Sequence, residues 1–146
     1  MSEEAKKTAS LPAMGAKAEL TRTITDADVV RFAEISGDYN PVHLDEQYAA
    51  RSIFGARVAH GFLAAAFISA AIGTKLPGPG SIYMGQTLKF VAPVYLGDTV
   101  TVSLEVIGVR EEKSILTLRT DCKNQQGKLV ITGEATVKYV PEDQTS

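Results

Sequence analysis

The pattern of hydrophobic and polar positions divides the chain into a helical first half and a strand-forming second half. A short strand is predicted over residues 17–24, before Thr25, a residue type suited to cap a helix. Apolar residues then recur at helical spacing over 29–35, and a second short helix is predicted over 45–51. The longest apolar run, Gly61 to Gly73, predicts an alanine-rich helix over 61–72 that must be covered on most sides.

Beyond residue 80 the apolar residues alternate with polar ones. This pattern predicts antiparallel strands over 81–91, 98–107, 114–122 and 129–139, with a hairpin turn at 124–127. Helices followed by consecutive strands are typical of an α+β fold, so we expect a curved antiparallel sheet wrapped around the long helix. We predict one domain over residues 16–140, a flexible tail over 1–15 and a C-terminal tail over 141–146.

Composition and charge narrow the possible functions. The 146 residues are 45% hydrophobic with a net charge of −2, so we expect a globular domain and no nucleic-acid partner. The longest apolar run is shorter than the roughly 20 residues that span a bilayer, and no signal peptide is visible, so we expect a cytoplasmic protein without membrane contact. The single cysteine, Cys122, is too little for a thiolate metal site. The sequence also shows no metal-ligand spacing, P-loop or dinucleotide fingerprint, so we expect no metal and no cofactor.

Candidate chemistry lies just after the first predicted helix. Asp38 and His43 flank Asn40-Pro41, where a bend could bring a carboxylate and an imidazole to one point. Such a pair can transfer protons near neutral pH. Asp38 could instead cap an ordinary turn, with His43 as its partner. The residues alone leave both interpretations open.

The same segment resembles the signature of the MaoC-like dehydratases, and in particular of the (R)-specific enoyl-CoA hydratases (hydratase 2). It is most similar to the short single-domain type that supplies polyhydroxyalkanoate synthesis. The resemblance continues over about residues 17–140 and includes Val58-Ala59-His60-Gly61 and Gly97-Asp98. The signature itself is filled by Phe32, Ile35, Ser36, Gly37, Asp38, Asn40, Pro41, Val42, His43 and Ala49.

The resemblance implies a fold, a partner and a reaction. The implied fold is the hot-dog fold, and the implied assembly is a homodimer whose sheets join edge to edge near the active sites. The implied reaction is the reversible hydration of a trans-2-enoyl-CoA to an (R)-3-hydroxyacyl-CoA. Asp38 and His43 would both bind the reacting water, and Asn40 would orient His43 or the water. Which of the pair takes the proton stays open.

Four further residues are candidates for substrate contacts. Gly61 begins the apolar helix, where unpaired N–H groups and the helix dipole favour an oxyanion, although simple packing of the helix start is the alternative. Ser69 resembles a serine that lines the family's pocket, or it bonds the carbonyl four residues earlier. With Ile72 and Val137 it is predicted to form the floor of the acyl tunnel. We expect the neighbouring His60 to hold the turn.

Three alternative functions are considered beside the hydratase. These are a hot-dog thioesterase, a non-catalytic acyl-binding hot-dog domain, and a dehydratase that acts on an acyl carrier protein. The Asp38–His43 segment argues against the first two, whereas the sequence shows no clear basic docking patch for the third. The CoA phosphates could meet Arg51, Arg57, Lys75 or Lys89.

Overall fold

The computed structural model describes residues 11–141, in which four helices precede most of the strands. The strand β1 comprises Lys17–Thr23. It is followed by α1 (Asp26–Ser36), α2 (Pro41–Leu44), α3 (Glu46–Ala50) and α4 (Gly61–Thr74). The later strands are β2 (Ser81–Gln86), β3 (Lys89–Phe90), β4 (Thr99–Arg110), β5 (Ile115–Lys123), β6 (Leu129–Thr132) and β7 (Glu134–Tyr139). Residues 1–10 and 142–146 of the predicted tails lie outside the described residues, so the tails and the domain limits stay predictions.

Helix α1 begins and ends on local signals that the sequence carries. The Thr25 hydroxyl accepts the Asp28 N–H at 3.1 Å, and the Asp28 carboxylate accepts the Thr25 N–H at 3.0 Å. This reciprocal capping box confirms the predicted N-cap. Gly37 ends the helix with a left-handed φ of 80°, a conformation that glycine adopts without steric cost. Asp38 therefore stands directly after a fixed helix end.

Two helix boundaries differ from the prediction. The segment 38–43, interpreted as a loop, contains the helical turn α2, because Asn40 caps it by accepting the Val42 N–H at 3.2 Å. Pro41 occupies the first helical position, where its missing N–H costs nothing. The predicted end of α4 at Gly73 is also wrong. The helix passes through this exposed glycine in helical conformation and ends only at Thr74, shortly before Pro77.

The strands form one antiparallel sheet, which confirms the α+β prediction. Strand β1 pairs with β4, and β4 pairs with β5. At one end of β5 the sheet continues through β6 to β3, and at the other end it continues through β7 to β2. Each of the predicted strands 81–91 and 129–139 is therefore split into two. In 129–139 the apolar alternation continues through Gly133 and does not mark the interruption, whereas in 81–91 the run Gly85-Gln86-Thr87 stands where the strand breaks.

The two interruptions face each other at Thr87 and Gly133. The Thr87 N–H donates to the Glu134 carbonyl, and the Glu134 N–H donates to the Thr87 hydroxyl, both at 2.9 Å. A Cβ atom on Gly133 would lie 1.9 Å from the Thr87 carbonyl oxygen, so only glycine allows this approach. We call this paired bend the crease. It turns two neighbouring strands together and supplies part of the sheet's curvature.

The core lies between the inner face of α4 and the concave face of the sheet. Helix α4 lies against β1, β4 and β5. The apolar residues predicted on one face of β4 are all buried: Val100, Val102, Leu104 and Val106. The opposite face of α4 is exposed in a single chain, and it carries Phe62, Ala66, Ser69 and Gly73. Within residues 11–141, no helix combines the length and the hydropathy needed to cross a membrane.

Candidate active site

A cleft of about 540 Å³ opens at the N-terminal end of α4. Asn40, His43 and Gly61, three of the predicted site residues, line it. The rest of its wall is apolar, so a polar group inside it is held in a medium of low polarity. The apolar lining comprises Val42, Phe54, Val58, Ala59, Phe62, Ala64, Phe90, Val91, Ala92, Pro93, Val94 and Ile131.

His43 presents one defined ring nitrogen for chemistry. Its side chain is nearly buried, and Nδ1 lies 2.7 Å from the Val58 carbonyl oxygen. A carbonyl can only accept a hydrogen bond, so Nδ1 carries the proton in the neutral ring. Nε2 is then left with an unshared electron pair. The imidazole is thus oriented by the main chain and prepared to accept a proton at Nε2.

Burial lowers the pKa of His43 below its usual value of 6.5. The neighbouring ring of His60 acts in the same direction, whereas the Val58 carbonyl and the Asp38 carboxylate oppose the shift. The net direction favours the uncharged form near neutral pH. That form is the one that a general base requires.

The Asp38 carboxylate is exposed and accepts the Asn40 N–H at 3.1 Å. One side-chain atom from each of Asp38, His43 and His60 lies within 4.8 Å of the others. The structure therefore brings Asp38 and His43 together, as predicted. The side-chain oxygen of Asn40 is used to cap α2, so the group that Asn40 offers to the cleft is its NH₂ donor.

Gly61 begins α4 at the cleft. The first N–H groups of a helix have no carbonyl partner within it, and the N-cap residue His60 gives no side-chain cap. The amides at this end are thus available to a ligand. A Cβ atom on residue 61 would lie 2.8 Å from the Phe90 ring, so a side chain would collide with the cleft wall.

Arg57 fixes the backbone beside His43. Its Nε donates to the His43 carbonyl at 2.7 Å, and its Nη2 pairs with the Asp26 carboxylate at 2.7 Å. Only 14% of this side chain is exposed. The possible contact between Arg57 and the CoA phosphates is therefore not supported, because the guanidinium is engaged within the chain.

The group of Asp38, His43 and His60 is poorly shaped for a metal ion. The two imidazole rings stack with centroids 3.9 Å apart and planes inclined by 30°. A ligating nitrogen points its electron pair along its ring plane, and Zn–N bonds measure about 2.1 Å. In addition, Nδ1 of His43 and Nε2 of His60 are each engaged with a main-chain carbonyl, so each ring has one nitrogen left for an ion. The group fits proton transfer better than metal binding.

The predicted tunnel residues lie apart from the cleft. Ile72 and Val137 are buried in the core, whereas Ser69 is exposed on the outer face of α4. None of the three lines the cleft. In a single chain these residues do not extend the cleft, so their role in binding the acyl chain stays a prediction.

Sequence reasoning missed the aromatic walls of the cleft. The Phe62 and Phe90 rings pack with centroids 5.7 Å apart, and both are about half exposed. Phe62 stands in an apolar helix and Phe90 in a predicted strand, so both had the pattern of core residues. Only their exposure in the folded chain, 63% for Phe62 and 46% for Phe90, distinguishes them from the core.

Comparison with known proteins places the chain among thioester-processing enzymes. A family model described as "MaoC like domain" matches residues 7–127. An (R)-specific enoyl-CoA hydratase from Rhodospirillum rubrum is 53% identical over 84% of this chain and 85% of its own length. A 3-hydroxybutyryl-CoA dehydratase from Methylorubrum extorquens is 47% identical over 86% of this chain and 79% of its own.

A solved structure agrees with the sequence relatives. The (R)-hydratase from A. caviae involved in PHA biosynthesis has a TM-score of 0.86 and 46% identity, and covers 88% of this chain and 98% of its own. The helix and its curved antiparallel sheet thus form a hot-dog fold of the hydratase class. The chain belongs to the MaoC-like domain family.

The environment of His43 predicts its titration. We expect its NMR titration midpoint below pH 6.5, because burial penalises the imidazolium. Asp38→Asn should lower the midpoint further, since it removes the carboxylate that favours the charged ring. The His60→Gln variant leaves His43 as the single histidine and makes the assignment unambiguous. A midpoint above 6.5 in the unaltered protein contradicts this account.

Proposed function

We propose that the chain catalyses the reversible hydration of a trans-2-enoyl-CoA to an (R)-3-hydroxyacyl-CoA. One observation carries the proposal: His43 and Gly61 line one apolar cleft, and the Asp38 carboxylate lies within 4.8 Å of a ring nitrogen of His43. The identity to an (R)-specific enoyl-CoA hydratase supports the substrate class. The neighbour named for PHA biosynthesis supports a role in supplying (R)-3-hydroxyacyl groups for polyhydroxyalkanoate.

The Asp38–His43 pair activates the water. The water oxygen forms a bond to C3 of the enoyl group while one of its protons passes to Nε2 of His43. The Asp38 carboxylate accepts a hydrogen bond from the same water and favours the imidazolium that forms. C2 then takes a proton from the pair. The net change is the addition of OH to C3 and H to C2, and the reverse sequence is the dehydration.

The Gly61 amide stabilises the thioester oxygen. Attack at C3 moves the π electrons toward the thioester carbonyl and creates enolate charge on its oxygen. The amide at the start of α4 faces this charge with the positive end of the helix dipole behind it. Because the surrounding wall is apolar, such a donor contributes more than it would in water. The Asn40 NH₂ is placed to hold the water.

The variants Asp38→Asn and His43→Gln test the assignment of the proton-transfer pair. Each should lower kcat by about 10²–10⁴-fold, the contribution of one positioned acid or base. The measurement is the loss of enoyl absorbance, with free thiol followed in parallel. The matched control is Glu34→Gln, which neutralises an exposed carboxylate on α1 and should leave kcat unchanged.

Two results would overturn the proposal. Near-normal turnover of Asp38→Asn or His43→Gln would show that the substituted residue does not take part in the proton transfer. Release of free thiol without formation of the hydroxyacyl-CoA product would indicate the thioesterase instead. The acyl-carrier-protein alternative predicts a kcat/KM at least tenfold higher for the carrier-bound substrate than for the CoA ester, whereas the CoA proposal predicts the reverse order.

We also propose that the acyl chain runs beside α4 toward Ser69, Ile72 and Val137. Ile72 and Val137 belong to the same buried core as the inner face of α4, so they can close the inner end of a tunnel. Ser69 is covered only when a second chain lies on the outer face of α4. The proposal therefore depends on the assembly described below.

Shortening a side chain on the floor of the proposed tunnel should shift the preference of the enzyme toward longer acyl chains. We expect Ile72→Ala and Val137→Ala to raise the ratio of kcat/KM for an eight-carbon over a four-carbon enoyl-CoA by several-fold. Each additional buried methylene contributes about 0.8 kcal/mol. The control Val102→Ala creates a comparable cavity in β4 and should leave the ratio unchanged. An unchanged ratio in both tunnel variants places the floor elsewhere.

The assembly that we propose is a homodimer joined at β2. This strand forms one edge of the sheet, and it exposes Ile82, Tyr83 and Met84. An exposed edge with apolar side chains readily pairs with another strand. The Ser81 hydroxyl donates to the Ile72 carbonyl at 3.2 Å, so the edge begins beside α4. A partner on β2 can therefore also cover the exposed, mostly apolar face of that helix.

Charge placed on the β2 edge should dissociate the dimer. Light scattering should give twice the chain mass of 15.6 kDa for the unaltered protein and a single chain for Ile82→Lys/Met84→Lys. The control Ile53→Lys introduces charge at a 95% exposed apolar residue that lies outside the β2 edge and the exposed face of α4, and this variant should stay dimeric. A dimeric double variant would exclude β2 as the interface.

The cytoplasmic location expected from the sequence stays a prediction.

A further inference from the structure

His60 is the residue just before α4, and its side chain contacts the segment that carries Asp38 and His43. Only 2% of it is exposed. Its ring stacks on His43 with centroids 3.9 Å apart, and its other neighbour is Phe32 at 4.8 Å. As the N-cap it forms no side-chain hydrogen bond to its own helix. The side chain is directed to a distant part of the chain instead.

The hydrogen bond of His60 holds the loop that carries Asp38. Its Nε2 lies 2.9 Å from the Asp38 carbonyl oxygen, which can only accept, so Nε2 carries the proton in the neutral ring. Nδ1 is buried and has no hydrogen-bond partner among the described residues. A proton on Nδ1 would have no acceptor there. The ring is therefore held by one hydrogen bond, and the Asp38 carbonyl sets its direction.

Three parts of the proposed mechanism meet at this side chain. The hydrogen bond fixes the backbone of Asp38, the stacked ring fixes the plane of His43, and the peptide of residue 60 leads directly into the Gly61 amide. These three groups come from α1's end, from α2 and from α4, and His60 touches or adjoins all of them. A change in its position moves the carboxylate, the base and the oxyanion donor relative to one another.

We propose that His60 is a positioning residue whose Nε2–H donation to the Asp38 carbonyl sets the distance between the Asp38 carboxylate and His43. The proposal rests on the proposed hydratase function. It assigns His60 no contact with the substrate. It differs from the structural role expected from the sequence, which was to hold the turn.

Two substitutions separate the hydrogen bond from the packing. His60→Gln keeps an N–H donor at about the position of Nε2 but loses the ring, whereas His60→Phe keeps a ring and loses the donor. We expect His60→Phe to lower kcat by about 10–10²-fold, since small misplacements of reacting groups have effects of this size. His60→Gln should keep most of kcat. KM should change little in both variants.

The thermal stability should follow the opposite order. His60→Phe retains the buried aromatic volume and should keep its Tm, while His60→Gln leaves a gap beside Phe32 and should unfold at a lower temperature. The control Val102→Ala lowers Tm through a cavity in the sheet and should keep kcat. If kcat follows Tm across the three variants, or if His60→Phe is fully active, the proposal is wrong.

An NMR measurement tests the proposal without substrate. The chain contains only two histidines, so a long-range ¹H–¹⁵N spectrum shows two imidazoles. We expect one ring protonated at Nε2, His60, and one protonated at Nδ1, His43. Backbone relaxation should show greater motion of Asp38 and Asn40 in His60→Phe than in His60→Gln. A His60 ring protonated at Nδ1, or equal motion in both variants, overturns the proposal even if the enzyme catalyses another reaction.

Discussion

The structure depends on covering an almost entirely apolar helix. Ser69 and Thr74 are the only residues with polar side chains among the fourteen of α4. Removing this apolar surface from water is the dominant favourable contribution to the fold. The small alanines allow the sheet backbone to come close, and the sheet must curve to follow the helix. The crease at Thr87 and Gly133 is one way in which the strands meet this requirement.

The same helix forms one end of the cleft at its first residue. Its inner face is packed in the core, and this packing anchors the helix to the sheet. Gly61 is thereby held at the cleft with its amide free, and His60 directs its ring back to the loop after α1. The Arg57 side chain links Asp26, the first residue of α1, to the carbonyl of His43. The segment 38–43, which the sequence predicts as a loop, is thus held by His60 at Asp38 and by Arg57 at His43.

Much of this arrangement follows from local sequence signals, and the rest does not. The cap at Thr25, the alternation in β4 and the meeting of Asp38 with His43 were predictable, because each rests on neighbouring residues or on a long family signature. The crease, the Arg57 contacts and the stacking of His60 on His43 join residues distant in the chain. Hydrophobic alternation continues unbroken through residue 133, so no periodicity marks the bend.

Both imidazoles are anchored to main-chain carbonyls, those of Val58 and Asp38. A carbonyl oxygen is present whatever side chain its residue carries. The tautomers of the two rings are therefore insensitive to most single substitutions at positions 58 and 38, provided that the backbone keeps its path. Side chains of the cleft wall can therefore vary without changing which nitrogen of each ring carries the proton. The tautomers are thus set by main-chain atoms, whereas the shape of the cleft is set by side chains.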